Sequence, residues 1–133
     1  MLDENCIFCK IIKNEIPSFK FYEDKNFIAI LDINPIKEGH TMIIPKEHCP
    51  DILDLEEPIH SELFKTAKKI GKILKKTFNS KRIGYAIEGF GVDHVHLHLV
   101  PIDKGYELNP CDSKNASKEE LKETLEKIKK NIN

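Results

Sequence analysis

Residues 94–100 read His-Val-His-Leu-His-Leu-Val, and this stretch decides the fold and indicates the chemistry. Side chains alternate between the two faces of a β-strand, so the three histidines share one face and the apolar residues between them face the core. One buried histidine is ordinary, but three on one face, in a chain with 6 histidines, are hard to explain by packing alone. The stretch predicts a core strand over residues 95–100 whose functional face carries His94, His96 and His98.

Two kinds of site fit this face. The histidines could be metal ligands, because imidazole is the commonest metal ligand and a His-x-His pair on a strand presents two of them together. Alternatively, one imidazole is a nucleophile that attacks phosphorus, while neighbouring imidazoles stabilise charge on the phosphoryl oxygens. The alternation by itself does not distinguish the two.

Around this strand the pattern predicts an α+β domain. Apolar runs at residues 19–22 and 27–31 flank a four-residue polar turn, which is typical of a β-hairpin. Residues 41–44 and 83–87 are two further strands, and residues 6–13 form a short helical turn. From Ile59 to Phe78, apolar residues at three- and four-residue spacing indicate one long amphipathic helix. We expect a mostly antiparallel sheet with one long helix packed on it and short terminal helices.

Residues 103–132 are predicted to be an extension of this domain. Residues 103–116 look like a linker, and Ser117 with Glu120 forms a capping box that begins an apolar-striped helix. We expect a domain over residues 1–102, a linker over 103–116 and a loosely attached C-terminal helix extension over 117–132.

Composition and charge exclude several classes of protein. The formal net charge of -1 over 133 residues gives no basis for general nucleic-acid binding, so any nucleotide would be held by a local site. No stretch approaches the roughly 18 apolar residues of a membrane span, and the start lacks the features of a signal peptide. We expect a cytoplasmic protein with no nucleic-acid or membrane partner, whose 4 cysteines do not form a disulfide framework.

A cysteine pair near the start, Cys6-x-x-Cys9, has the spacing of half a tetrahedral zinc site. A redox pair of this spacing would normally precede a longer helix in a βαβ unit, which this region lacks. The alternative is that both cysteines are small buried hydrophobic residues.

Three segments together resemble the histidine triad (HIT) family. The stretch HVHLHLV at residues 94–100 fits the family motif His-φ-His-φ-His-φ-φ, in which φ is apolar. ILDINPIKEGHTMIIPKEH at residues 30–48 resembles the family's strand-loop-strand, and CIFCKIIKNEIPSFKFYED at residues 6–24 is similar to the start of its bacterial members. The match runs from about residue 5 to residue 102 in the family's order and leaves out the C-terminal helix.

The resemblance implies a role for each matching residue. His96 would be the nucleophile that forms a covalent nucleotidyl-imidazole intermediate, which water then hydrolyses. His98 would bond the α-phosphate oxygens or the leaving-group side, His40 would support the triad from a neighbouring strand, and Asp32 would accept hydrogen bonds from both ribose hydroxyls. The base would lie between three apolar residues, Phe8, Ile11 and Ile33. Phe8 and Ile11 could equally be core residues, and Asp32 could merely begin a turn.

One segment departs from the family pattern. HIT proteins usually place an Asn, and then Ser or Gln, between the penultimate strand and the triad, where they bond phosphate or leaving group. Residues 87–93 read Ile-Glu-Gly-Phe-Gly-Val-Asp and lack these side chains. Backbone N–H groups of Gly89 and Gly91 could bind phosphate instead.

The resemblance also implies a metal and an assembly. Zinc-bearing members have the cysteine pair, a histidine after the Pro-Lys of the second loop and the first triad histidine, which here are Cys6, Cys9, His48 and His94. Four protein ligands leave no open position for water, so this zinc would be structural. In the alternative, His48 is an exposed residue without a metal. The family commonly forms homodimers through the long helix and an edge strand.

Three functions remain open from the sequence. The leading one is a nucleotide hydrolase or transferase that acts at the α-phosphate of purine nucleoside phosphoramidates or dinucleoside polyphosphates. The second is a nucleotide-binding regulatory module with little turnover, which the missing Asn and Ser or Gln favour. The third is a zinc-dependent hydrolase whose catalytic metal is bound by His94, His96 and His98.

Overall fold

The structure, a computed structural model, describes residues 2–132 and confirms the expected α+β arrangement. The helices and strands of these residues are α1 (Ile7–Ile12), β1 (Lys20–Glu23), β2 (Phe27–Leu31), β3 (Thr41–Pro45), α2 (Ile59–Phe78), β4 (Arg82–Ala86), β5 (Leu97–Ile102) and α3 (Lys118–Lys129). The strands form one sheet in the order β1-β2-β3-β5-β4, and each neighbouring pair is antiparallel. The strand with the triad therefore lies inside the sheet, between β3 and β4.

The long helix α2 packs as its apolar stripe predicts. Leu63, Ala67, Ile70 and Leu74 are completely buried against the sheet, while the lysines between them face outward. The helix ends at Asn79, whose φ of 51° is the left-handed conformation common at helix C-termini. In the described part of the chain, no helix combines the length and the apolar character needed to cross a membrane.

The sheet separates two apolar clusters, and this arrangement positions the site. On the α2 side, the apolar residues between the triad histidines join the main core. On the opposite side, α1 packs over β2 and β3 in a smaller cluster that includes Phe8, Cys9 and Ile11. The histidines therefore project from the sheet on the side where α1 lies, as the alternation predicts.

The triad strand begins two residues later than expected. β5 starts at Leu97, so His94 and His96 precede it, and only His98 of the three has ladder partners, Met42 on β3 and Ala86 on β4. The ladder ends because Pro45 has no N–H to donate. Instead, the N–H of Val95 donates to the carbonyl of Cys49 at 2.8 Å. The chain there is still buried, and the rings of His94 and His96 both lie edge-on to that of Phe8, so these histidines stay on the α1 side of the sheet.

The C-terminal helix is not loosely attached. Leu121 and Ile128 are 5% and 0% exposed and belong to the main core. The residues before the helix also contact the domain, since the N–H groups of Lys114 and Ala116 donate to the carbonyls of Pro35 and Ile33. The capping box of Ser117 and Glu120 is confirmed. The division of the chain at residues 102 and 116 stays a prediction, but the expected loose attachment is wrong, because the apolar stripe of α3 is buried.

Candidate active site and metal centre

The middle histidine of the triad is held by its own backbone. Nδ1 of His96 lies 2.7 Å from the carbonyl oxygen of His94, and His96 is only 6% exposed. A carbonyl oxygen only accepts hydrogen bonds, so Nδ1 is the nitrogen that carries the proton. The other nitrogen, Nε2, then has a free lone pair, which is what a nucleophilic imidazole requires.

Two hydrogen bonds in series determine which ring nitrogen carries the proton in His40 and in His98. The backbone N–H of Ile36 donates to Nδ1 of His40 at 3.0 Å, so the proton of a neutral His40 is on Nε2. That N–H donates to Nδ1 of His98 at 2.9 Å. The proton of His98 is therefore on Nε2, where it is a free donor for a ligand oxygen.

Both of these imidazoles are neutral near neutral pH. Burial, and then the nearby His40 and His96, lower the pKa of His98 from 6.5 to about 4. Burial also lowers the pKa of His40, although the carboxylate of Asp32 partly opposes this effect. The series of hydrogen bonds from Ile36 through His40 to His98, called here the relay, is therefore built from neutral rings. Each ring nitrogen has one defined role, as donor or as acceptor.

The two carboxylate oxygens of Asp32 have different surroundings. Its Oδ1 accepts the N–H of Asn34 at 2.8 Å, which makes Asp32 the first residue of a turn. Its Oδ2 lies 3.5 Å from Nε2 of His40 and 3.9 Å from Nδ1 of His98. One carboxylate oxygen thus orders the loop, while the other remains beside the histidine pair.

The three residues expected around the base differ in exposure. Phe8 and Ile11 are buried in the smaller apolar cluster, as the packing alternative predicted. Phe8 nevertheless contacts the site, because its ring lies edge-on to that of His96 with 5.1 Å between centroids. Ile33 is 55% exposed, on the loop that follows Asp32.

The glycines expected at the phosphate lie in a loop between β4 and the triad. Gly89 and Gly91 have φ angles of 81° and 83°, a conformation that favours glycine. A Cβ on Gly91 would meet no atom within 4 Å, so this side of the loop is open. Gly91 lines a hollow beside Cys6 and His48, whereas Glu88 of the same loop lines a separate cavity together with His98.

The four residues expected to bind zinc converge on one point. The ligand atoms of Cys6, Cys9, His48 and His94 all lie within 4.8 Å of one another. Sulfur-to-nitrogen distances are 3.4 to 3.6 Å, and Nδ1 of His48 lies 3.2 Å from Nδ1 of His94. Ligands at zinc's bond lengths on a tetrahedron would be about 3.3–3.8 Å apart, so the cluster fits that ion.

The protonation of these side chains also suits a metal. Nε2–H of His94 donates to the carbonyl of Pro45 at 2.7 Å, which leaves the lone pair of Nδ1 for the cluster. The N–H groups of Asp3 and Cys9 point at the sulfurs of Cys9 and Cys6, at 3.3 and 3.4 Å. Four protein ligands, three of them buried, would leave no open position on a metal here, and the cluster joins α1 to the triad segment.

The geometry argues against a catalytic metal on the three triad histidines. Nδ1 of His94 faces the cysteines, whereas Nδ1 of His98 accepts from His40. Asp32, His40 and His98 also lie close enough to hold an ion. However, the hydrogen bond from the N–H of Ile36 to Nδ1 of His40 keeps the proton of His40 on Nε2, and Nε2 is the nitrogen that would have to bind the ion.

Comparisons with known proteins identify the family. The profile of the HIT domain matches residues 13–105. The chain belongs to the HIT family. An uncharacterized HIT-like protein of Borreliella burgdorferi is 40% identical over 96% of this chain and 99% of its own. The adenosine 5′-monophosphoramidase of Saccharomyces cerevisiae is 46% identical over 75% of this chain and 64% of its own.

Solved structures show the same HIT fold. A Hit-like protein from Bartonella henselae has a TM-score of 0.85 and 34% identity, and the match covers 99% of this chain and 100% of that one. A zinc-bound histidine triad protein from Mycobacterium smegmatis has a TM-score of 0.81 and 29% identity, and covers 95% and 91% of the two chains. The comparisons thus show the family, and they include a relative named as a phosphoramidase and a zinc-bound structure.

Some groups at this HIT site gave no signal in the sequence. The N–H of Ile36 and the carbonyls of Pro45 and His94 are backbone groups. Any residue could supply such a carbonyl, and any residue but proline could supply such an N–H. Asp3 lies 3.7 Å from Nε2 of His48, behind the metal cluster. The position of Asp3, three residues before Cys6, is the one sequence feature that could have indicated a role at the metal cluster.

Proposed function

We propose that this HIT protein hydrolyses nucleoside 5′-phosphoramidates at the α-phosphate through a covalent nucleotidyl-histidine intermediate on His96. The observation that carries the proposal is the hydrogen bond from Nδ1–H of His96 to the carbonyl of His94, which leaves Nε2 unprotonated and available. The naming of the yeast relative as an adenosine 5′-monophosphoramidase supports this class of substrate and a purine base.

In the first step, the lone pair of Nε2 of His96 attacks phosphorus. The bond between phosphorus and the leaving nitrogen breaks, its electron pair stays on that nitrogen, and the nitrogen takes a proton from water. As His96 gains positive charge, its Nδ1–H bond to the buried carbonyl of His94 becomes stronger. In the second step, water attacks phosphorus, the bond between phosphorus and Nε2 breaks, and its electron pair returns to Nε2, which restores the neutral imidazole. The attacking water gives a proton to the hydroxide left by the first step, and the nucleoside monophosphate is released.

The neighbouring groups stabilise the charge on the phosphoryl oxygens. Nε2–H of His98 is the side-chain donor for one of them, and its orientation depends on His40. Backbone N–H groups of Gly89 and Gly91 are proposed as further donors in place of the missing Asn and Ser or Gln.

The nucleoside would occupy the side of the site next to α1. The free oxygen of Asp32 is proposed to accept hydrogen bonds from the ribose hydroxyls, because its partner oxygen is already used in the turn. Phe8, Ile11 and Ile33 are proposed to contact the base. Zinc on Cys6, Cys9, His48 and His94 supplies no step and holds α1 and the triad strand in register.

The direct test is detection of the intermediate. Wild type is mixed with adenosine 5′-phosphoramidate, quenched within the first turnover in alkaline denaturant, and its intact mass is measured. The proposal predicts a protein mass increased by one adenylyl group, located on the peptide that contains His96. A matched His60→Ala control should give the same adduct, because His60 lies on α2 beside Phe64. Turnover without an adduct at any time would contradict the covalent step.

A nucleotide-binding module is the second candidate. The segment that follows β4 favours it, because residues 87–93 have no side-chain amide or hydroxyl to contact a phosphate. Binding of AMP without release of AMP from phosphoramidate or diadenosine polyphosphate would select this function. Release that survives brief chelation in folded protein would exclude a catalytic metal.

We further propose a cytoplasmic homodimer. The edge strand β4 carries Tyr85, which is 42% exposed, and α2 carries Phe64, which is 38% exposed. Reduced thiols at the proposed zinc cluster suit a reducing compartment. Analytical ultracentrifugation tests the assembly, and a single species at the monomer mass would contradict it.

A further inference from the structure

Two backbone N–H groups just before α3 reach the loop that follows β2. The N–H of Lys114 donates to the carbonyl of Pro35 at 3.1 Å, and the N–H of Ala116 donates to the carbonyl of Ile33 at 3.0 Å. In the part of the chain that the structure describes, no other backbone N–H donates to either carbonyl. The segment expected to be a linker thus holds the loop that carries Asp32.

Each of these carbonyls belongs to a peptide group whose N–H donates to a side chain of the site. The peptide group of residues 35–36 donates its N–H to Nδ1 of His40 at 3.0 Å. The peptide group of residues 33–34 donates its N–H to Oδ1 of Asp32 at 2.8 Å. Both peptide groups therefore accept a hydrogen bond from the segment before α3 and donate one to the site.

A peptide group couples its two hydrogen bonds because it is rigid. Both peptide groups are planar and trans, so the C=O and the N–H point in opposite directions and rotate together. A donor at the oxygen therefore fixes the direction of the N–H on the other side. It also polarises the peptide group, which makes that N–H a stronger donor.

The outer hydrogen bonds thus connect the segment to two different groups of the site. From Lys114, hydrogen bonds run through the peptide group of residues 35–36 to His40, and from Nε2 of His40 to Nδ1 of His98 at 2.9 Å. From Ala116, they run through the peptide group of residues 33–34 to Asp32. The first series extends the relay by one donor, and the second ends at a carboxylate.

The two donors are themselves fixed to the domain. Before them, the side chain of Leu108 lies on β4 so closely that a Cβ on Gly84 would come within 2.7 Å of it. Leu108 also lines a cavity of about 300 Å³ beside His98. After them, Leu121 of α3 is buried in the main core. The N–H groups are therefore held at both ends of the segment, as a group that orients another must be.

We propose that Lys114 and Ala116 are positioning residues, which act on the site through their backbone N–H groups. The N–H of Lys114 orients His40 and, through it, the Nε2–H of His98. The N–H of Ala116 orients the carboxylate of Asp32. The inference rests on the proposed function, in which His98 contacts a phosphoryl oxygen and Asp32 contacts the ribose hydroxyls.

Proline at position 114 tests the first half. Lys114→Pro removes the N–H, and Ser113 already has the extended conformation that a following proline requires, with φ of -70° and ψ of 144°. Lys114→Ala is the matched reference, because it loses the same side chain and keeps the N–H. Both variants are also made in a His40→Ala background, and chemical denaturation checks that each is folded in the assay.

Relative to Lys114→Ala, Lys114→Pro should lower kcat/KM for adenosine 5′-phosphoramidate about two- to tenfold, as expected for one backbone hydrogen bond. Because the effect passes through His40, the same change should have almost no further effect in the His40→Ala background. A merely structural role would give the same loss in both backgrounds.

Proline at position 116 tests the second half with a different readout. Ala116→Pro removes the donor behind Asp32, so it should weaken recognition of the ribose. The ratio of kcat/KM for adenosine 5′-phosphoramidate to that for its 2′,3′-dideoxy analogue, which lacks the ribose hydroxyls, should fall about two- to tenfold from the wild-type value. Lys114→Pro should give the same ratio as Lys114→Ala.

The ring nitrogens of His98 give a readout that needs no turnover. In ¹⁵N NMR spectra of Lys114→Ala at pH 7, Nδ1 of His98 should be unprotonated, and Lys114→Pro should show a larger share of the form with the proton on Nδ1. The signals that disappear in His98→Asn identify this ring.

Equal kcat/KM of Lys114→Pro and Lys114→Ala, or the same loss in both backgrounds, would overturn the role of Lys114. An unchanged ribose ratio in folded Ala116→Pro would overturn that of Ala116. If wild type releases no AMP, the proposed function is refuted, and the ring signals decide the inference, because identical spectra of the two Lys114 variants would overturn it.

Discussion

Nε2 of His40 lies 2.9 Å from Nδ1 of His98, and the backbone amide of Ile36 determines which of the two rings donates. The sheet brings these histidines together because β3, which begins just after His40, pairs with β5. A main-chain group that is independent of side-chain identity thus fixes the proton that His98 offers to a ligand.

Replacing His40 tests this relay. In His40→Ala, His98 loses the donor that fixes its ring, so we expect kcat/KM for adenosine 5′-phosphoramidate to fall about tenfold to a hundredfold. His40→Asn, which can place an amide N–H near the same point, should recover part of the loss. Equal activity of wild type and His40→Ala would show that the relay has no role in orienting His98.

The pKa of His98 predicts a pH-dependent stability. Its folded-state value of about 4 is below the ordinary 6.5, so the unfolded chain binds the proton first as the pH falls. The stability it contributes is complete above about pH 6.5 and is lost toward pH 4. Between about pH 7 and pH 5, wild type should lose roughly 2 kcal/mol more of its free energy of unfolding than His98→Asn does.

Urea unfolding of the two proteins at both pH values measures this difference. Comparison with His98→Asn cancels the proton uptake of the metal cluster, which both proteins share. Parallel pH dependence of wild type and variant would contradict the lowered pKa.

Removal of one cysteine tests the metal centre. Cys9→Ser should lower the zinc content of purified protein from about one ion per chain to near zero, because a tetrahedral site loses a thiolate ligand. The midpoint of thermal unfolding should fall by about 10 °C or more. Cys49→Ser is the matched control, since Cys49 adjoins His48 but donates to the carbonyl of Asp51. Unchanged zinc content in Cys9→Ser would refute the site.

Truncation of α3 side chains tests its place in the core. Ile128 is completely buried, so Ile128→Ala should reduce the free energy of unfolding by about 2–5 kcal/mol. Leu125 lies on the same helix but is only partly buried, so Leu125→Ala should reduce the free energy of unfolding by less than Ile128→Ala does. Chemical denaturation measures both. Equal, small losses would mean that the helix is an independent extension.

The sequence predicted the elements whose local pattern repeats and the contacts that a motif encodes. The stripe of α2 follows from such a pattern. The convergence of Cys6 and Cys9 with His94 was expected from the resemblance to the HIT family. The start of β5 was not predicted, because its ladder with β3 stops at the pair of Ile43 and Leu97. Pro45, which would come next in the ladder, lies 52 positions before Leu97 on another strand.

The role of residues 103–116 was also beyond sequence reasoning. Their polar composition is that of a linker, yet Leu108 packs on Gly84 and Lys114 pairs with the loop of Asp32 and His40. Such contacts depend on where the sheet places distant segments. A polar composition alone does not distinguish a wall of a cavity from a free connection.

The rate of AMP release from adenosine 5′-phosphoramidate by wild type and His96→Ala tests most directly whether His96 is the nucleophile. We expect wild type to release AMP and the variant, folded and with the same metal content as wild type, to be slower by at least about a thousandfold. A His96→Ala rate within about tenfold of wild type would contradict it, because phosphorus would then be attacked by some other group.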